Sequence, residues 1–203
     1  MEGGLMRVIA GEAKGRKLLS VPGQATRPIT DRVKESLFNI LGRRVVDALF
    51  LDLFAGTGSV GIEALSRGAC RAVFVERNRQ ALKVIAENLK KTRLAERAQV
   101  VSSDVFKFLR GKFDEKFDLV YIAPPQYKGL WAKTLLALDG RELLADEGLI
   151  IVQMHPKELA SLDLKFLQLA DQRKYGSTLL CFYSRSETGD RDAKPSALEA
   201  IST

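Results

Sequence analysis

The sequence predicts one α/β domain built on a doubly wound, mostly parallel sheet. Three observations carry this. Short apolar runs alternate with helix-period segments from Ala48 to Gln153. The run Ala48 to Leu53 stops at Gly56-Thr57-Gly58, and a helical pattern begins at once with Val60, Ile62, Ala64 and Leu65. Four successive strands end in Asp52, Glu76, Asp104 and Ala123-Pro124-Pro125, so a parallel sheet places all four endings on one rim, where such folds bind ligands.

Composition bounds the answer. The chain has 203 residues and 46% hydrophobic content, enough for one domain with a sizeable core. No apolar run approaches the roughly 18–20 residues of a membrane span, and Met1 to Leu5 is too short and polar for a signal peptide. The expectation is a cytoplasmic protein with no membrane partner. Two cysteines, Cys70 and Cys181, are expected as buried, reduced thiols. One histidine and no clustered cysteines leave no metal site to expect. The net charge is +7, unevenly spread: Met6 to Val46 holds nine Lys/Arg (Arg7, Lys14, Arg16, Lys17, Arg27, Arg32, Lys34, Arg43, Arg44) against three acids. A basic surface of this kind suits phosphate backbones, a solvated face being the bland alternative.

In chain order, Arg7 to Ala10 and Lys17 to Val21 read as two short strands joined by a basic loop, Gly11 to Arg16. Thr30 or Asp31 caps a helix from Arg32 to Leu41, its apolar stripe being Val33, Leu37, Phe38, Ile40 and Leu41. After the glycine turn and its helix come a strand at Ala72 to Val75 and a helix from Arg79 to Thr92 capped by Asn78. A strand at Ala98 to Val101 and a short helix at Val105 to Leu109 follow. Then come a strand at Phe117 to Ile122, a helix at Trp131 to Leu138 and a buried strand at Leu149 to Gln153. Leu164 to Ala170 and Thr178 to Ser184 form a closing antiparallel pair. The division expected is a basic hairpin over 1–24, the α/β domain over 25–185 and a disordered polar tail over 186–203.

The chemistry is read from the rim. Glycines let the backbone approach a ligand closely, and Gly56, Gly58 and Gly61 match Gly-x-Gly-x-x-Gly, although tight packing alone can explain such a turn. Glu76, about eighteen residues past Gly58, suits ribose hydroxyls. Asp52, just before the loop, is unsuited to a pyrophosphate and favours a cationic ligand such as the amino-acid end of S-adenosylmethionine, which points to a methyltransferase. Asp104 is either a helix cap or an edge contact to an adenine amine. Pro124 and Pro125 fix a rigid turn, and the Pro124 carbonyl can accept from a planar exocyclic amine that must pyramidalise to accept a methyl group. Tyr127 or Trp131 either stacks a base drawn out of its helix or simply packs. His155 reads as a loop or capping residue.

Three stretches together resemble the bacterial RsmD family: Gly11-Glu12-Ala13-Lys14-Gly15-Arg16-Lys17-Leu18, Arg27 to Asn39 (Arg-Pro-Ile-Thr-Asp-Arg-Val-Lys-Glu-Ser-Leu-Phe-Asn), and Asp52-Leu53-Phe54-Ala55-Gly56-Thr57-Gly58. Members are S-adenosylmethionine-dependent guanine-N2 methyltransferases of small-subunit (16S) ribosomal RNA, and the likeness runs from about Met6 to Arg185. The resemblance implies a class I methyltransferase fold with a Rossmann-like, mostly parallel seven-stranded sheet and an N-terminal hairpin that grips RNA through Arg7, Lys14, Arg16, Lys17 and Arg27. It implies the cofactor on Asp52, Phe54, Ala55, Gly56, Thr57 and Gly58, its ribose on Glu76 and its adenine near Asp104, with Thr30 and Asp31 closing over it. Catalysis would fall to Pro124, Pro125, Gln126 and Tyr127, and the partner would be ribosomal RNA or an assembling small subunit. One position departs: the family has Asp or Asn, Pro, Pro and an aromatic, whereas this chain has Ala123-Pro124-Pro125-Gln126 with the aromatic displaced to Tyr127. Either the Pro124 carbonyl with Gln126 suffices, the target base differs, or the chain binds RNA with little catalysis. The intact loop and hairpin favour the first. A DNA or protein amino-group methyltransferase, a weakly catalytic RNA-binding assembly factor and a nicotinamide-dependent reductase are the alternatives.

Overall fold

The structure is a computed structural model that describes residues 6–22 and 29–186. The expectations for Met1 to Leu5, for Arg27 and for the tail beyond Ser186 lie outside the described residues.

Strands β1 (Leu49–Leu53), β2 (Arg71–Glu76), β3 (Ala98–Ser102), β4 (Phe117–Ile122), β5 (Leu144–Met154), β6 (Leu167–Tyr175) and β7 (Thr178–Arg185) form one sheet in the order β3-β2-β1-β4-β5-β7-β6. The pairings among β1 to β5 are parallel, and β7 runs antiparallel between β5 and β6. This is the class I methyltransferase sheet. The strand order reverses between β1 and β4, which opens a crevice at their carboxyl ends.

Both faces are covered, which is why β1 is apolar except for Asp52: all five of its residues are buried. Helices α1 (Asp31–Leu41), α2 (Ser59–Ser66) and α3 (Arg79–Thr92) pack Phe38, Ile62 and Ile85 on the face carrying Phe50, Phe74 and Tyr121. On the other face α4 (Val105–Leu109) and α5 (Leu130–Leu138) pack Leu109, Trp131 and Leu135 against Leu51, Val120 and Ile150. Thr30 and Asn78 cap α1 and α3 with their side chains.

The N-terminal segment departs from the two strands expected. Its ladder is one antiparallel bridge, Arg7 to Lys17, and Glu12 to Gly15 is turn. The reason lies in where its amides go. Ile9 and Ala10 donate to the Glu63 carboxylate, at 2.8 and 3.0 Å, and Glu12 donates to the Ser66 carbonyl at 2.9 Å. Gly11, at φ 81°, lies so close to α2 that a Cβ would stand 1.7 Å from the Ser66 carbonyl oxygen. Met6, Val8, Ala13 and Leu18 join the α1–α3 core, so the segment packs as part of that core.

Other differences are local. The strand expected at Leu164 begins at Leu167, because the Asp139 carboxylate takes the amides of Lys165, Phe166 and Leu167 at 2.8–3.0 Å before the ladder starts. Ile40, expected inward, is 40% exposed. Cys70, expected buried, is exposed in the loop before β2, while Cys181 is buried in β7; both are free thiols. Among the described residues no helix is long and apolar enough to cross a membrane, and no group of three or more His, Cys, Asp or Glu could hold a metal.

Candidate active site

The glycine turn is built on three left-handed residues. Phe54 follows β1 at φ 61°, then come Gly56 at φ 57° and Gly58 at φ 74°. An aromatic residue with that backbone is strained, and the Ala55 N–H donating to Val75 O at 3.1 Å helps hold it. A Cβ at Gly56 would find only the Phe54 carbonyl, 3.9 Å away, within contact range, leaving open space above the loop. Gly61 serves packing instead: a Cβ there would stand 2.4 Å from the Phe74 ring and 3.2 Å from Asp52 Oδ2.

The rim acids are placed unequally. Glu76, half-buried, accepts the Gly56 N–H on Oε2 at 2.9 Å and those of Arg77 and Asn78 on Oε1, both at 2.8 Å. Asp52 lies deeper, 2% exposed, with Oδ2 on the Gly61 N–H at 3.1 Å. Burial pushes its carboxyl well above the ordinary carboxylate range; the Gly61 hydrogen bond opposes that and the Glu76 charge adds to it. Asp104 is the cap of α4, accepting from Phe106 and Lys107 at 2.9 and 3.3 Å on Oδ1, while Oδ2 lies 3.4 Å from Arg77 Nη1. Thr30 Oγ1 accepts from Val33 N–H, and Asp31 pairs with Arg7 Nε at 3.1 Å, joining the start of α1 to the N-terminal segment. That segment reaches the glycine turn too, where Thr57 donates its hydroxyl to Met6 Sδ.

Beside the loop, Ala123 donates its N–H to Leu53 O at 3.5 Å, so the turn after β4 abuts the end of β1. Ala123, Pro124 and Pro125 are half-buried, and Gln126 and Tyr127 are exposed. Tyr127 is left-handed at φ 59°, held by its N–H donating to Glu158 Oε1 at 2.7 Å. Its ring lies 5.5 Å from that of His155, which caps the turn Pro156–Glu158 through Nδ1. Trp131 is 3% exposed in the α4–α5 core, so of the two aromatics only Tyr127 stands exposed.

Of the basic residues, Arg7, Lys14 and Lys17 are exposed, and half-buried Arg16 donates to the Lys91 carbonyl at 2.8 Å. Lys34 is not a surface cation. It is 1% exposed, its Nζ on Arg7 O at 2.6 Å and 3.4 Å from Glu63 Oε2. Burial lowers its pKa against the raising charges of Glu63 and Asp31. Glu63 also holds Arg67 Nε at 2.8 Å.

Sequence reasoning gave no role to Glu63, Asn88, Gln153 or Glu158. Asn88, buried in α3, clamps both backbone groups of Leu19 and donates to the Thr57 carbonyl at 3.0 Å, tying the N-terminal segment to the glycine turn. The available signal was a polar residue on an apolar helix face, as with Glu63 among Val60, Ile62, Ala64 and Leu65. With carboxylates at the strand ends and a close-approach backbone, the acceptor set fits a ligand bearing hydroxyls and a positive group and disfavours a phosphate.

A family model described as conserved hypothetical protein 95 matches residues 6–184. Ribosomal RNA small subunit methyltransferase D of Escherichia coli (strain K12) is 37% identical, over 94% of this chain and 95% of its own. The solved structure of the Escherichia coli protein yhhF superposes with a TM-score of 0.80 at 37% identity, covering 90% of this chain and 99% of that one. The fold is shared more widely. An RNA methyltransferase from Salinibacter ruber, solved with S-adenosyl-L-homocysteine, matches at TM-score 0.59 and 17% identity over 78% of this chain and 92% of its own.

Proposed function

The chain belongs to the conserved hypothetical protein 95 family, and from that premise we propose that it transfers a methyl group from S-adenosylmethionine to the N2 amine of a guanine in small-subunit (16S) ribosomal RNA. The observation that supports this most is the hydrogen bond from Gly56 to Glu76, which joins the open glycine turn to the ribose-binding acid on the rim occupied by Ala123 to Tyr127.

When bound, S-adenosylmethionine supplies an electrophilic methyl group on a sulfonium centre. The chain supplies the rest. The backbone of Phe54, Ala55, Gly56, Thr57 and Gly58 receives the cofactor, Glu76 takes its ribose hydroxyls, and Asp104 meets its adenine. Asp52, beneath the loop, favours the cationic amino-acid end by charge, and Thr30 and Asp31 close the site from α1. On the acceptor side, the Pro124 carbonyl and Gln126 hold the target N–H groups on the rigid Pro124-Pro125 turn, and Tyr127 stacks the base. No strong base is needed, because the methylated nitrogen becomes acidic and gives its surplus proton to water. Arg7, Lys14, Lys17 and Arg27 engage RNA phosphates, while Arg16, bound to the Lys91 carbonyl, braces the segment that carries them. The substrate is an assembling small subunit in the cytoplasm.

The test is methyl transfer from labelled S-adenosylmethionine to undermethylated small subunits, followed by nucleoside analysis. Label in N2-methylguanosine is the expected result; label only in another nucleoside, on DNA or on protein overturns the target. The apolar side chain of Ala123 favours a second reading, an assembly factor that binds RNA and cofactor without turnover, and cofactor binding with no label transferred would select it.

A further inference from the structure

We propose that Gln153 accepts a hydrogen bond from the target amine, supplying from β5 the side-chain acceptor that Ala123 lacks; this rests on the methyltransferase reading above. The parallel ladder pairs Tyr121 with Ile151 and Ile122 with Val152. The ladder ends there, and continuing its register one step toward the carboxyl ends sets Ala123 opposite Gln153. Side chains alternate between faces along a strand. Ile122 and Val152 both point into the α4–α5 core, and Tyr121 and Ile151 into the α1–α3 core, against which Ala123 also packs. Gln153 turns to that second face, since its Oε1 accepts the hydroxyl of Tyr121. At the rim, neighbouring strands therefore present a methyl group and a carboxamide on the same side of the sheet.

The carboxamide is poised for the task. Gln153 is half-buried at the strand end, within reach of a rim ligand yet not dissolved in solvent. The Tyr121 phenol, 3% exposed, holds the amide by donating to one lone pair of Oε1 and leaves the other for a second donor. An amide oxygen suits an exocyclic amine because it accepts N–H without taking the proton, so the nitrogen can pyramidalise while its surplus proton leaves to water. Satisfying the Tyr121 hydroxyl is the structural alternative, and it makes different predictions.

The experiment uses the full chain with Gln153→Ala, Gln153→Glu, and Gln153→Ala combined with Ala123→Asn. Gln153→Ala is expected to lower kcat on undermethylated small subunits by about 100-fold, the scale of losing one preorganised hydrogen-bonding partner, with affinity for S-adenosylhomocysteine near wild type; Tm falls in any case, because the buried Tyr121 hydroxyl loses its acceptor. Gln153→Glu, which keeps an acceptor, and Ala123→Asn, which restores one, should recover roughly tenfold or more of that loss. A readout without turnover compares guanosine and inosine 5′-monophosphates, which differ by the 2-amino group, by ligand-observed NMR. The wild type prefers the guanosine nucleotide and Gln153→Ala does not. Unchanged kcat in Gln153→Ala, or a loss that Ala123→Asn fails to rescue, overturns the assignment alone. A wild type that methylates no guanine overturns the parent reading and this assignment with it.

Discussion

Glu76 Oε2 and the backbone nitrogen of Gly56 stand 2.9 Å apart, so the acid ending β2 holds the turn that ends β1. Glu76→Ala removes that acceptor and those for Arg77 and Asn78. The expected result is a cofactor affinity at least tenfold weaker, about 1.4 kcal/mol, by titration calorimetry with S-adenosylhomocysteine. Undiminished affinity would sever Glu76 from the cofactor.

Asp52 gives a pH-dependent test. Its folded-state pKa is raised by burial, so the native state favours the protonated carboxyl. The stability this brings is fully present below the ordinary carboxylate pKa and is lost as pH rises through the raised folded value. Asp52→Asn keeps a neutral acceptor for Gly61 and should be more stable than wild type at neutral pH, the gap closing below about pH 4. Urea unfolding across that range reads the difference. Cofactor affinity should fall in the same variant, because a bound cation draws the carboxyl toward its charged form and an amide cannot ionise.

Buried Lys34 and Glu63, with half-buried Arg67 beside them, predict an asymmetry. Glu63→Ala strands the Lys34 ammonium and the amides of Ile9 and Ala10, a loss of about 3–5 kcal/mol by the measure of broken buried ion pairs. Lys34→Met, which removes the cation instead, should be the milder change in denaturant unfolding. Equal losses would show that the charge itself contributes nothing.

Exposed Lys14 and Lys17 are the cations for a phosphate test, since Arg16 is engaged with Lys91. Lys14→Ala with Lys17→Ala should weaken RNA binding and lower the slope of log affinity against log salt by about 2, leaving S-adenosylhomocysteine affinity unchanged. An unaltered slope would remove these lysines from the RNA surface.

Most of the architecture was legible. Asn78, Thr30 and Asp104 announce helix starts by local hydrogen bonding, and strands buried on both faces announce themselves as apolar runs, because both signals act within a few residues. The turn of the N-terminal hairpin was legible, but the two strands expected there reduce to one bridge: the amides of Ile9, Ala10 and Ala13 bond to Glu63 and Ser66, more than fifty residues away, and no local pattern records that.

The amino-acid order alone determined the α/β class, the strand–turn–helix at Gly56 to Gly58 and the acids on one rim, since alternating periodicity and glycine chemistry are local properties. Only the tertiary structure decided that Lys34 is an interior cation, that Trp131 is core while Tyr127 stands exposed, and that Gln153 takes the hydroxyl of Tyr121. Those outcomes depend on which face of a helix or strand is covered and by what, a matter settled between segments distant in the chain.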